Sequence, residues 1–248
     1  MASAQKWDRF EKKFAVLRRK HGFTVFHTRK FKNRDGDFKG WRQEKQSALL
    51  DDLDRIADRG CMTGVTVTLN NAEYERDFKR TPDVPRKLQL ATKYGLCFEA
   101  SLLYFVAEAQ KRKFQGKLPK LFVICESGAT NAGDAVRIFN EHKTRLESER
   151  LPILGALSFD KKDSTPALML ADFFAHTRWL REFKGVPLTA EDLAPADAKA
   201  TLVASLTVGE GGLAQHKRRL IEQFNEHAKI KASLHVPRGE RSSAGAKD

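Results

Sequence analysis

Cysteine is scarce in this chain of 248 residues, and the sequence contains no long apolar run. The three cysteines, Cys61, Cys97 and Cys125, lie apart in apolar segments, without the paired spacing of a zinc site and with an odd count for disulfides. We therefore expect reduced, buried thiols, as is typical of a cytoplasmic protein. No stretch approaches the ~20 apolar residues of a membrane span, and the first residues lack an apolar signal core, so we expect no membrane partner.

Motifs of nucleotide binding and nucleophilic catalysis are also missing. Residues 127–133 join a predicted strand to a predicted helix, where backbone amides could bind phosphate. This loop lacks the Gly-Lys-Ser/Thr ending of a P-loop and the glycine pattern of a dinucleotide-binding fold. The chain has no Gly-x-Ser-x-Gly elbow, and Cys125 lies in an apolar context. These absences argue against a nucleoside triphosphatase and against a hydrolase with a serine or cysteine nucleophile.

Positive charge is abundant. The formal net charge is +13 and the isoelectric point is about 9.7. The first 50 residues carry 14 Lys or Arg against 5 Asp or Glu, so much of the excess lies at the N-terminal end. Such a balance favours polyanionic partners, with DNA or RNA ahead of an anionic membrane surface. A contribution to solubility alone is the alternative.

Aromatic residues interleave with the cations that follow the first predicted helix. The cations are Arg29, Lys30, Lys32 and Arg34, and the aromatic residues are Phe26, Phe31, Phe38 and Trp41. Bases can stack on exposed aromatic rings while phosphates contact the cations. Alternatively, the rings dock this segment onto the hydrophobic core. The sequence leaves both interpretations open.

Predicted strands and helices alternate from residue 23 to residue 184, which favours an α/β fold. The predicted strands cover residues 23–27, 62–69, 120–126 and 152–159. The predicted helices cover residues 5–20, 41–59, 86–112, 132–149, a stretch from 166 and residues 213–231. We expect an α/β domain over 1–185, a helical extension over 186–236 and a disordered tail over 237–248.

Two carboxylates fall in apolar segments where a core should exclude them. Glu126 ends the predicted strand 120–126, and Asp172 lies in the apolar helical stretch 167–175. Because a buried lone carboxylate is costly, each needs a partner. A divalent metal ion is one such partner, and two-metal sites use carboxylates in this way to cleave phosphodiesters. The alternatives are a helix cap or salt bridge for Glu126, and a pair with His176 or an arginine for Asp172.

Three further residues are candidates for the same site. Asp160 and Asp163 precede the helix that carries Asp172, so one of them could complete a metal cluster, although both also suit an ordinary loop. His27 ends the predicted strand 23–27. It could bind metal, transfer a proton or contact phosphate, or it could be a hydrogen-bonded packing residue.

Several of these residues fall in a pattern that resembles a known family. Residues 159–175, Phe-Asp-Lys-Lys-Asp-Ser-Thr-Pro-Ala-Leu-Met-Leu-Ala-Asp-Phe-Phe-Ala, resemble the C-terminal signature of the bacterial and phage family called domain of unknown function 3800. That signature is a loop with Ser and Asp followed by a leucine-rich stretch ending in Ala-Asp. The strand ending in Glu126 is similar to the family's central acidic strand. Phe26-His27 with residues 36–41 is similar to its His-bearing strand and the following loop, and the resemblance covers roughly residues 7–182.

The resemblance implies a ribonuclease H-like fold, with a mixed sheet flanked by helices and acidic residues that coordinate Mg²⁺ or Mn²⁺. It carries the roles of metal ligands to Glu126 and Asp172, with Asp163 as a further ligand and His27 as a further catalytic candidate. Family members open with a strand ending in an Asp-Glu-Ser-Gly-like motif, and nothing before Phe23 resembles it. We therefore expect the first metal carboxylate and the first strand to be lacking.

Two functions follow as expectations. The first is a metal-dependent nuclease that hydrolyses phosphodiesters of DNA or RNA. The second is a catalytically degenerate module of the same fold that binds nucleic acid or a protein partner.

Overall fold

The computed structural model describes residues 1–59, 63–112, 118–183, 202–208 and 212–234. This part of the chain is mixed α/β and mostly helical. The α-helices are α1 Ala4–His21, α2 Thr28–Lys32, α3 Gln43–Arg59, α4 Asn71–Glu73, α5 Lys93–Lys111, α6 Ala132–Ser148, α7 Pro166–Phe183 and α8 Gly212–Leu234. A 3-10 turn covers Gly36–Phe38, and a π-helical turn covers Tyr74–Phe78. The strands are β1 Thr63–Leu69, β2 Leu121–Glu126, β3 Leu154–Asp160 and β4 Leu202–Val208.

The strands of the described residues form two small sheets. β2 pairs with β3 in parallel, and α6 makes the crossover between them. In this register Glu126 lies opposite Asp160, so the carboxyl ends of both strands meet at one edge. A second sheet pairs β1 with β4. The mixed α/β class is thus confirmed, while the larger ribonuclease H-like sheet stays a prediction.

Contacts divide the chain into two units. The first comprises Met1–Thr68 and Tyr94–Leu206, and the second comprises Leu69–Lys93 and Thr207–Asp248. In the second unit, the ring of Phe78 stacks on that of His216, with the two centroids 5.8 Å apart. The predicted domain boundary at residue 185 and the predicted tail over 237–248 lie outside the described residues.

Helix α1 shows how the sequence sets a local element. The Ser3 side chain accepts a hydrogen bond from the backbone N–H of Lys6, which caps the first turn. Phe10, Phe14 and Leu17 recur at intervals of three and four residues, so they share one face and are buried. Gly22 ends the helix in the left-handed region, with φ of 73°, where a glycine meets no steric cost.

The buried face of α1 belongs to a core that we call the aromatic cluster. Its buried members are Phe10, Phe14, Leu17, Phe23, Phe26, Phe31, Phe38, Trp41, Leu49, Leu53, Met169, Leu170 and Phe173. They come from α1, from residues 23–41, from α3 and from α7. The cluster therefore fixes the N-terminal segment against the helix that carries Asp172.

The predicted strand over 23–27 is wrong, since these residues form an irregular turn. An extended strand would point Phe23 and Phe26 to opposite faces, because side chains alternate along a strand. Both rings lie in the aromatic cluster, with centroids 6.1 Å apart, so the chain must turn between them. Residues 28–40 contain α2 and the 3-10 turn for the same reason, because Phe31 and Phe38 join that core.

The β2–β3 sheet has a second core on one of its faces. Leu121, Val123 and Leu157 pack towards buried residues of α5 and α6. The alternate residues of β2 face outward, with Phe122 71% exposed and Ile124 48% exposed. This period of two is the pattern of a strand with one covered face.

Candidate functional site

The structure brings Glu126 and Asp172 together through a lysine. Nζ of Lys162 lies 3.2 Å from Oε2 of Glu126 and 3.1 Å from Oδ1 of Asp172. Glu126 is the last residue of β2, Asp172 lies in α7, and Lys162 lies in the loop that leads from β3 to α7. We call Glu126 and Asp172 the carboxylate pair. The structure thus places these two residues around one lysine, and their role as metal ligands stays a prediction.

The second oxygen of Asp172 is held by Thr28, the first residue of α2. Oδ2 accepts the backbone N–H of Thr28 at 3.1 Å and its hydroxyl at 3.2 Å. Burial by itself would raise the pKa of Asp172, but the Thr28 N–H and the Lys162 ammonium outweigh it and hold the pKa below its usual value. Asp172 is therefore ionised at neutral pH, and both of its oxygens have partners.

The Asp160 carboxylate accepts hydrogen bonds from the loop that follows it. Its carboxylate accepts the Lys161 N–H and the Ser164 hydroxyl, each at 2.8 Å, and also the Thr165 hydroxyl. The Thr165 and Ser164 hydroxyls and the Lys161 N–H lower the pKa of Asp160. Asp160 therefore shapes the turn that presents Lys162, as the ordinary-loop interpretation predicts.

Asp163 is exposed in the same loop. Its backbone carbonyl accepts a hydrogen bond from Nη1 of Arg18 at 3.5 Å. Among the residues that the structure describes, no group of three or more His, Cys, Asp or Glu side chains is placed to hold a metal ion. The structure therefore does not assemble Asp163 with the carboxylate pair, and its role as a metal ligand stays a prediction.

His27 lies next to the site in the chain. It precedes α2 with an extended backbone, it is half-buried, and its side chain makes no capping hydrogen bond. It is the last residue of the irregular turn described above and does not end a strand. Its neighbour Thr28 contacts Asp172, so the His27 backbone is adjacent to the site, and its catalytic role stays a prediction.

His176 follows Asp172 by one turn of α7. Burial lowers the pKa of His176, and Lys32 and Arg29 lower it further, while Asp172 acts in the opposite direction. The charges of Lys32 and Arg29 therefore disfavour protonation of His176. Asp172 itself pairs with Lys162 and Thr28, and these are the partners that its burial requires.

Lys162 and Thr28 were not predicted from the sequence. Lys161 and Lys162 are neighbours in one polar loop, and only the folded loop decides which ammonium turns inward. Thr28 lies 144 residues before Asp172, so no local pattern connects them. A lysine close to acidic residues in the chain was the one signal, and it is a weak one.

The side chains as they stand do not fit a divalent ion. Mg²⁺ demands oxygen ligands at about 2.0–2.1 Å in an octahedral arrangement. Here an ammonium fills the space between the two carboxylates, at distances typical of an ion pair. A third carboxylate is lacking around the pair within the described ranges. A metal ion at this point would have to displace Lys162.

A row of exposed cations follows one side of α1. Lys6, Arg9, Lys13 and Lys20 recur at helical spacing, and we call them the basic stripe. At a rise of about 1.5 Å per residue the stripe is roughly 21 Å long. Lys20 pairs with Asp52 at 2.6 Å. The other three form no ion pair with residues that the structure describes.

Two arginines line an open groove at the end of the same helix. The groove has a volume of about 380 Å³ and is lined by Ala15, Arg18, Arg19, Gly22, Phe23 and Thr24. We call it the arginine groove. One N–H of Arg18 reaches the carbonyl of Asp163, which leaves other guanidinium donors of Arg18 and Arg19 for a ligand.

The aromatic residues among the cations do not form a stacking surface. Phe26, Phe31, Phe38 and Trp41 are all buried in the aromatic cluster. The ring centroids of Phe38 and Trp41 are 5.1 Å apart and meet edge to face. Of the two interpretations that the sequence left open, docking onto the core is therefore confirmed, and base stacking on these rings is wrong.

A scan against models of protein families, a search of characterised proteins and a search of solved structures each gave no significant match. Within the described residues, every helix is too short or too polar to cross a membrane.

Proposed function

We propose that this protein binds nucleic acid through the phosphate backbone, on a scaffold of ribonuclease H-like type. One observation carries the proposal: the cations of the basic stripe are exposed, while the aromatic residues interleaved with the cations after α1 are buried. Cations bind phosphates of any sequence, whereas base recognition needs contacts to base edges or faces. We therefore expect an affinity that depends strongly on salt concentration and only weakly on the nucleic-acid sequence.

Two features of α1 support phosphate contacts. The basic stripe spaces its charges along a rigid helix, so several phosphates can be met without ordering a loop. Arg18 and Arg19 add guanidinium groups at an open groove, and guanidinium donors match phosphate oxygens in pairs. Both features belong to the first unit and depend on the packing of α1 on the aromatic cluster.

The test is binding of labelled DNA and RNA oligonucleotides by fluorescence anisotropy at several salt concentrations. The logarithm of the association constant should fall linearly with the logarithm of salt concentration, by about 0.9 per neutralised phosphate for duplex DNA. The triple variant Lys6→Gln, Arg9→Gln and Lys13→Gln should reduce this slope by about 1 for each phosphate that is no longer neutralised. Binding that ignores salt would contradict the proposal.

A charge-matched control separates local contacts from net charge. Lys87→Gln, Lys120→Gln and Arg150→Gln remove the same charge at exposed positions outside α1. This control should leave the slope nearly unchanged. An equal reduction in both triple variants would show that the basic stripe is not the binding surface.

Metal-dependent cleavage of nucleic acid is the second candidate function. The observation that favours it is the meeting of Glu126 and Asp172 at the carboxyl end of β2, where such sites place their ligands. For this function, Lys162 must move away from the carboxylate pair. A further ligand is also required, for which Asp163 is the candidate. His27 would be a neighbouring polar group.

Cleavage is tested with labelled DNA and RNA in the presence of Mg²⁺ or Mn²⁺. Glu126→Gln and Asp172→Asn should each abolish turnover, whereas Glu147→Gln, an exposed carboxylate of α6, should not. Cleavage that survives Asp172→Asn would reject the assignment.

A further inference from the structure

Lys162 is an unusually enclosed lysine for a loop residue. Its side chain is 11% exposed, although lysine heads normally reach water. The ammonium is held by two carboxylates, of which Asp172 is 30% exposed and Glu126 is 50% exposed. Its neighbour Lys161 is exposed. The loop therefore selects one of two adjacent lysines for the interior of the site.

Lys162 completes a chain of polar contacts across four segments. Glu126 brings in the end of β2, Lys162 the loop after β3, and Asp172 the helix α7. Asp172 in turn contacts Thr28 at the start of α2. One cation is therefore the common partner of carboxylates from separate parts of the first unit.

Charge explains why a cation must be present at this point. Two carboxylates that face one point repel each other, and the donors of Thr28 reach only Asp172. A metal ion or an ammonium can neutralise that repulsion. The ammonium and a divalent ion cannot occupy the same space, and they repel each other at this distance.

We propose that the Lys162 ammonium takes the place of a divalent metal ion between Glu126 and Asp172, and that its removal converts the carboxylate pair into a divalent-cation site. This inference concerns the carboxylate pair and does not depend on nucleic-acid binding by α1. The wild-type site is held together by an internal cation that is covalently part of the chain. The Lys162-free site would recruit its cation from solution.

The experiment compares Mn²⁺ binding to the wild-type chain, Lys162→Met and Lys161→Met. Methionine keeps most of the alkyl stem and removes the charge, and Lys161→Met removes the same charge from an exposed neighbour in the same loop. We expect Lys162→Met to bind Mn²⁺ at least about tenfold more tightly than the other two proteins, because a facing unit charge is gone. Calorimetry and the electron paramagnetic resonance of free Mn²⁺ report binding directly.

The double variant Lys162→Met with Asp172→Asn assigns the ion to the carboxylate pair. It should return the Mn²⁺ affinity to the wild-type level. If Lys162→Met fails to fold, Lys162→Gln provides a second neutral variant with the same expected rise in affinity.

Two results would overturn the proposal. One is wild-type binding of Mn²⁺ that is at least as tight as that of Lys162→Met and is abolished by Asp172→Asn, because the ion would then coexist with the lysine. The other is a folded neutral variant whose Mn²⁺ affinity does not rise. Neither result would alter the salt dependence expected for α1, so the two proposals fail separately.

Discussion

The aromatic cluster and the β2–β3 sheet use the same residue types in opposite ways. In the aromatic cluster, phenylalanines are buried and the cations between them are exposed, and Phe26 is 0% exposed. In β2, Phe122 is 71% exposed, while Lys162 at the end of the sheet is enclosed by carboxylates. Both regions belong to the first unit.

This contrast separates a closely packed region from a sheet with one exposed face. The aromatic cluster buries large rings at edge-to-face contacts, which is the arrangement that aromatic pairs prefer. Parallel strands are usually covered on both faces, whereas this sheet leaves Phe122 and Ile124 exposed. The charged groups at the end of this sheet, Glu126, Lys162 and Asp172, are therefore stabilised mainly by contacts with one another.

The largest effect on stability is expected when the same Phe→Ala substitution is compared between the aromatic cluster and the β2–β3 sheet. Phe26→Ala removes a ring packed against Phe23, Phe31, Phe38 and Phe173. It should lower the free energy of unfolding by about 3–5 kcal/mol, because a buried ring is removed and a cavity remains. Phe122→Ala should cost less than about 1 kcal/mol, because that side chain is mostly exposed.

Urea unfolding of both variants measures this difference. Similar decreases in the free energy of unfolding of the two variants would mean that the two regions do not differ in packing.

A glycine pair tests the helices that cover the sheet. A Cβ on Gly95 of α5 would overlap the Asp134 carboxylate and lie 3.0 Å from Cδ1 of Ile138, both on α6. Gly95→Ala should therefore destabilise the protein by roughly 1–3 kcal/mol through overpacking. Gly133→Ala, where a Cβ meets nothing within 4 Å, should be neutral or stabilising by up to about 1 kcal/mol. Thermal unfolding of both variants measures these changes in stability. A stabilising effect of Gly95→Ala would contradict the close approach of α5 and α6.

An effect of similar size, but with a characteristic pH dependence, is expected for Lys162→Met. At neutral pH it should cost roughly 1–3 kcal/mol, since Asp172 loses a charged hydrogen-bond partner. The pKa of Asp172 is lowered in the folded state, so its favourable interaction is fully present above the unfolded pKa and is lost as pH falls through the folded pKa. The difference between wild type and variant should therefore shrink as pH falls below about 4.

Denaturant unfolding at several pH values measures this difference. Lys161→Met serves as the control and should show little difference at any pH, and a Lys162→Met cost that is independent of pH would exclude the ion pair as its cause.

Much of the local structure could be predicted from the sequence. The strand predicted over 120–126 is Leu121–Glu126, and the helix predicted over 132–149 is Ala132–Ser148. Both patterns are local, because burial of one face imposes a period of two on a strand and of 3.6 on a helix. The turn at residues 23–27 was missed because five residues are too few to show a period, and the aromatic cluster overrides their strand propensity.

The site was predictable in part for the same reason. Glu126 and Asp172 stood out because a carboxylate in an apolar segment is rare. Their partners Lys162 and Thr28 are common polar residues in polar surroundings, so no sequence pattern distinguishes them from their neighbours.

The sequence by itself determined the amphipathic elements, the basic N-terminal end and the position of two carboxylates in apolar segments. Each of these features depends on residues that are close together in the chain. The tertiary structure alone decided that the interleaved aromatic rings are buried and that Lys162 lies between Glu126 and Asp172. Those contacts join residues that lie far apart in the chain, such as Phe26 and Phe173. They depend on how whole elements pack, since the free energy of burying a side chain depends on every neighbour that surrounds it.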